Sequence, residues 1–187
     1  MNLVARANAI LMTPKQEWAA IDTEPPNVPA LLTGYVLPLA AIGPIATFIG
    51  FSIFGIGGIF RISIGSGISL AITLFVLAVI AVFVLAWVIN ALAPTFGATQ
   101  SMPQAIKLSA YSMTAAWVAG IFNILPFLGI LALIIGALYS LYLFFVGLPV
   151  LMKVPADKVV VYVVVIFVCY AILYGLIRMV TGRMIYM

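Results

Sequence analysis

From Leu108 to Met152 the chain runs forty-five residues without a charged side chain, and only the hydrocarbon core of a bilayer accommodates such a run comfortably. A helix needs about 20 apolar residues to cross that core, so the stretch holds two crossings and a turn. Leu125-Pro126-Phe127-Leu128-Gly129 supplies the turn, because proline fixes φ and withholds a backbone donor while glycine accepts positive φ. Leu108–Leu125 and Ile130–Leu151 are therefore expected to form a tight transmembrane hairpin.

Composition extends this reading to the whole chain. Of 187 residues, 66% are hydrophobic and 6% charged, whereas a soluble domain carries roughly 25% charged residues. The class is integral membrane. The net charge of +4 comes from eight Lys and Arg set singly at the ends of apolar runs, a pattern of membrane anchoring and not a nucleic-acid face. With one cysteine, Cys169, and no histidine, an intramolecular disulfide is impossible and a His/Cys metal site has almost nothing to draw on. No cofactor is expected. Ala7–Met12 is too short for the apolar region of a cleaved signal peptide, and Lys15, Glu17 and Asp22 follow at once.

Taken in order, residues 3–12 place Leu3, Val4, Ala7, Ile10 and Leu11 on one helical face and Asn2, Arg6 and Thr13 opposite. That spacing suits an amphipathic helix at the membrane surface; a frayed tail is the alternative. Thr13-Pro14-Lys15-Gln16 reads as a second helix start, with Thr13 capping, Pro14 at the first position and Gln16 completing a capping box. Trp18 suits the headgroup level. Glu24-Pro25-Pro26-Asn27-Val28-Pro29 is a linker that no helix crosses. The first span, about 30–54, is expected to kink at Pro38 or Pro44. Residues 55–61 and Gly65-Ser66-Gly67 form a glycine-rich connector; without a Gly-Lys-Ser/Thr ending or a preceding strand it is no phosphate loop.

The second span, about 68–91, stops before Pro94, with Asn90 near its end. Ser101-Met102-Pro103-Gln104 reads as a capped interfacial helix leading into span three at 108–125. Ala132, Gly136 and Ser140 in span four repeat every four residues, matching Ala115/Ala119 and Ala116/Gly120 in span three. Small residues at that spacing let helices approach closely in lipid, so these seams are expected to meet; an oligomer interface is the other use. Lys153–Lys158 is a charged loop, and 159–177 completes five spans. The fold expected is all-α: a polytopic bundle of five spanning helices at 30–187, preceded by an interfacial segment at 1–29. Arg6, Lys15, Lys107, Lys153 and Lys158 then share one side, and Arg61, Arg178 and Arg183 the other. Basic residues favour the cytoplasm, which places the N-terminus there and the C-terminus outside.

Thr13-Pro14 with Trp18 and Ile21, Phe96-Gly97-Ala98-Thr99, Ala110-Tyr111-Ser112, Pro126-Phe127-Leu128-Gly129, Tyr139-Ser140 and Gly147 together resemble the Yip1 family of membrane proteins. The resemblance covers nearly the whole chain and implies five spans, a cytoplasmic N-terminus and an opposite-side C-terminus. Eukaryotic members are associated with Rab GTPases and vesicle transport through a long polar N-terminal region with an acidic Leu-Tyr-Gly-Pro-like motif. This chain has neither, so the resemblance is to a short, bacterial-type member of the cytoplasmic (inner) membrane, without a Rab-type partner. Many bacterial relatives carry proline soon after the Tyr-Ser pair; Ala115-Ala116 stand here, implying a straighter third span.

The four acids, Glu17, Asp22, Glu24 and Asp157, lie outside the expected spans, and Cys169 sits alone in an apolar one. No acid–base pair or triad can be assembled from these parts, so the chain is read as non-catalytic. No expected span holds an ionisable residue away from its ends, which argues against a coupled pump. Tyr111, Ser112, Asn123, Tyr139, Ser140 and Tyr142, with Gly136, either line a polar crevice between spans three and four or bond across the helix seam. The first reading suits a passive channel for a small neutral solute. The second suits a scaffold whose partners are the lipid bilayer, another membrane protein or a second copy of itself.

Overall fold

The computed structural model describes residues 2–55 and 61–185, and their side chains except at 126, 173, 174 and 176–185. Residues 56–60 of the expected glycine-rich connector lie outside these. Two short helices, Leu3–Met12 and Pro14–Thr23, precede the first long helix, Val28–Phe54, the second, Ile64–Phe96, and the third, Met102–Ile124. The fourth is Pro126–Met152 and the fifth Val159–Ile185. Among the described residues there is no strand. The first three, and the fourth from Phe127, are long and apolar enough to cross a membrane, and the fifth is apolar through Ile172. This is an α-helical membrane bundle.

Local chemistry sets where the helices begin and bend. The linker break narrows to 24–27, because Asn27 Oδ1 accepts the Ala30 N–H at 3.1 Å and starts the helix at Val28. A π turn at Leu32–Val36 widens the backbone just where the Pro38 ring would meet the Gly34 carbonyl. Pro44 sits inside the regular segment Leu37–Phe48. Gly65-Ser66-Gly67 is not connector but the first turn of the second helix, capped by Ser63 Oγ on the Ser66 N–H at 3.1 Å. A Cβ at Gly67 would lie 2.0 Å from Ser52 Oγ and 3.0 Å from Phe48 Cδ2, so a larger residue here would have to displace side chains of the first long helix. The second helix does not stop before Pro94 but tightens through a 3₁₀ turn at Ala93–Phe96. It ends on Gly97, φ +69°, with the Ala98 N–H on the Ala93 carbonyl at 2.9 Å.

The third helix departs from expectation twice. No separate interfacial helix precedes it: Ser101 makes no capping bond, and Met102–Ser112 is one unbroken stretch. Nor is it straight, because Met113 interrupts it before Thr114–Ala119. The hydroxyls of Ser109, Ser112 and Thr114 donate to the carbonyls of Ala105, Leu108 and Tyr111 at 2.9, 2.6 and 2.7 Å, and such back-bonding bends helices. The hairpin turn is also tighter than expected. The bend falls on Leu125, and Pro126 already opens the fourth helix. Gly129 is helical and takes no positive φ; a Cβ there would sit 2.6 Å from Asn123 Oδ1.

The third helix, least apolar of the four candidate spans and most enclosed, packs against the first, second and fourth. Polar side chains are costly against lipid, so the helix that carries most of them occupies the middle. Its seam with the fourth helix is the expected one: a Cβ at Gly136 would lie 2.7 Å from Ala119 Cβ and 3.1 Å from the Ala115 carbonyl oxygen. Gly120 belongs to a different seam. A Cβ there would meet Gly43 Cα of the first helix at 2.8 Å. The fifth helix packs on the second and fourth, with Tyr162 donating to the Ile89 carbonyl and its ring stacked 4.5 Å from Phe96.

Candidate functional site

The two short helices are docked on one end of the bundle. Thr13 closes the first of them and does not cap the second: its N–H and Oγ1 both donate to the Ala9 carbonyl, at 2.8 and 3.1 Å. The capping box with Gln16 therefore does not form. Pro14 restarts the chain in a new direction, and the first helix turns Arg6, Ala7 and Ile10 inward while Val4 is 71% exposed. Arg6, expected on the water-facing side, is only 5% exposed. Trp18, expected among headgroups, is fully enclosed by protein over Gly147, where a Cβ would lie 2.5 Å from Trp18 Cε2.

Charge complementarity explains the inward turn. Arg6 donates through Nη1 to Glu17 and through Nη2 to Glu24, and its guanidinium lies 5.6 Å from the centre of the Tyr111 ring. Burial alone would lower the Arg6 pKa, but the hydrogen bond to Glu24 and the neighbouring carboxylates outweigh it and hold the guanidinium above its ordinary value. Lys107 Nζ donates to the Ile21 and Glu24 carbonyls at 2.9 and 2.6 Å. Asp22 receives Lys153 Nζ at 2.5 Å and Gln104 Nε2 at 3.2 Å. Tyr111 stands edge-on to Trp18 and Tyr35, centroids 6.2 and 4.7 Å away, and Tyr35 Oη lies 2.7 Å from Thr114 Oγ1. The loops join at the same end, with the Thr99 N–H on the Met152 carbonyl at 2.7 Å. Between the first short helix, the linker and the starts of the first and third long helices lies an open cavity of about 380 Å³.

The structure does not gather the expected site residues into one crevice. Tyr111 belongs to the cluster just described. Ser112 donates to Leu108 of its own helix. Asn123 Nδ2 reaches Thr47 Oγ1 of the first helix at 3.3 Å, beside a second cavity of about 160 Å³. Ser140 Oγ accepts the Ala116 N–H across the seam at 3.1 Å, next to Gly136. Tyr139 Oη donates 2.6 Å to the Leu11 carbonyl of the first short helix. Tyr142, 5.5 Å from Tyr139 ring to ring, is 43% exposed. Residues that sequence reasoning passed over, Arg6, Glu17, Glu24, Tyr35 and Lys107, form the densest polar constellation. The available signal was three acids in an N-terminal segment facing one arginine, with Lys107 just inside a helix start.

The Yip1 domain matches this chain over residues 8–179. The chain belongs to the Yip1 family. It is 26% identical over 151 residues to Inner membrane protein YohC of Escherichia coli K12, an overlap of 78% of this chain and 77% of the relative. The same figures hold for Inner membrane protein YohC of Escherichia coli O6:H1 strain CFT073. No solved structure matches. In this Yip1 chain the residues that carried the resemblance are mutual packing contacts. Trp18 seats on Gly147, Gly97 turns the chain so that Thr99 reaches Met152, Tyr139 holds Leu11, and Ser140 holds Ala116.

Proposed function

We propose that this chain is a non-catalytic scaffold of the bacterial inner membrane, with five spans, its N-terminus in the cytoplasm and its C-terminus outside, that engages other membrane proteins or lipid. One observation carries the reading: the hydrogen bonds of Ser140, Asn123 and Tyr35 run from one long helix to another, onto Ala116, Thr47 and Thr114. A conducting path needs polar groups that face a continuous opening and exchange partners with solute; these are occupied. The naming of the Escherichia coli relatives as inner membrane proteins supports the location. The orientation rests on five Lys and Arg at the end that holds the short helices, against Arg61, Arg178 and Arg183.

Crosslinking in native membranes followed by mass spectrometry tests the scaffold. The expected result is a reproducible membrane-protein or lipid adduct at the docked short helices or the lipid-facing helix surfaces. An absence of adducts at any of these surfaces would contradict it.

A further inference from the structure

The cavity of about 380 Å³ is lined by Arg6, Glu24, Asn27, Gly34, Lys107 and Tyr111, among others, a volume within the range of small-molecule sites. Lys107 is 5% exposed and makes no direct ion pair, although the Glu24 and Asp22 carboxylates are near enough to act on its charge. Its two hydrogen bonds go to backbone carbonyls, so of three ammonium donors one is unspent. Asn27 uses its oxygen on the Ala30 N–H, leaving its amide donors free. Arg6 gives one bond each to Glu17 and Glu24, and a guanidinium has five donors in all. Glu24 is the one carboxylate on the wall, and it shares Arg6 with Glu17. The first and third long helices both begin here, and helix N-termini favour anions.

We infer that this cavity binds a phosphate group, with Lys107 supplying charge and the unspent N–H groups of Arg6 and Asn27 supplying further donors. The walls come from the first short helix, the linker and two long helices, so an occupied site would pin the short helices to the bundle. Two sources offer the same chemistry: a phospholipid headgroup and soluble phosphate. The site stands whether the bundle scaffolds or conducts.

The test is thermal unfolding of the purified full chain in neutral detergent, with added phosphatidylglycerol, diacylglycerol of the same acyl chains, or inorganic phosphate. A ligand that binds only the folded state raises Tm by mass action. Phosphatidylglycerol is expected to raise it by several degrees and diacylglycerol not at all. A matching response to inorganic phosphate would identify soluble phosphate as a sufficient source, and its absence would assign the headgroup. Lys107→Gln should abolish the response. Because Lys107 also holds the linker, Gly34→Leu is the second variant: Gly34 lines the cavity and a Cβ there meets nothing within 4 Å, so bulk is added at the cavity wall without a clash at Cβ. Equal stabilisation by diacylglycerol, no response to either phosphate source, or an undiminished response in Gly34→Leu would each overturn the site.

Discussion

Gly136 illustrates how a single hydrogen can set a helix spacing. With a Cβ landing 2.7 Å from Ala119 Cβ, Gly136→Val must push the third and fourth helices apart, and overpacking of this kind costs about 1–3 kcal/mol. Melting in detergent should show the loss, while Gly34→Leu, pointing into open space, should leave the unliganded Tm unchanged. Arg6 is the polar counterpart. Removing one partner of a buried ion pair costs about 3–5 kcal/mol, less here because the Glu24 side chain is 42% exposed. Arg6→Met should destabilise strongly. Adding Glu17→Gln to that variant should recover part of the loss, since the stranded carboxylate is gone, and a double-mutant cycle measures the coupling. Additive effects would mean that Arg6 and Glu17 do not form the pair seen here. The glycine seam at Gly136 was legible because four-residue spacing of small residues shows in a linear sequence. The Arg6–Glu17–Glu24 cluster was not, because amphipathic spacing identifies a polar face without saying whether water or a complementary set of charges will meet it.

Each long helix was recognisable from hydropathy alone, and the differences concentrate at the ends and bends. Thr13 and Ser101 looked like caps, yet Thr13 bonds backward to Ala9 and Ser101 makes no capping bond; capping residues reveal a boundary more reliably than their own bonding. Lys107 extended the third helix backward because its ammonium found the Ile21 and Glu24 carbonyls, a tertiary satisfaction no local rule anticipates. The two short helices act as one docked unit, anchored by Trp18 on Gly147 and by Tyr139 on Leu11. Deleting residues 1–12 should therefore lower Tm and expose Tyr139 and Glu17, while circular dichroism keeps the helical signal of the long helices. Loss of the whole helical signal would show that the short helices are part of the folding core. Within the unit, Tyr139→Phe removes one hydrogen bond, worth about 0.5–1.5 kcal/mol.

For the molecule as a whole, the bundle places its least apolar helix at the centre and ties it to its neighbours through Thr114, the Ala116 N–H and Asn123. The long uncharged stretch was enough to recognise a membrane protein. Whether Asn123 and Tyr139 faced a crevice or a seam depended on which helices adjoined them, Thr47 and Leu11 being far away in sequence. The central claim is that these polar side chains are structural and do not conduct. Stopped-flow light scattering on proteoliposomes challenged with glycerol or urea tests it most directly, comparing the wild type with the double variant Asn123→Leu, Tyr139→Phe. Both should match protein-free liposomes in permeability, with the variant only lower in Tm. A protein-dependent solute flux that the double substitution abolishes or alters would contradict the scaffold and make the bundle a passive channel.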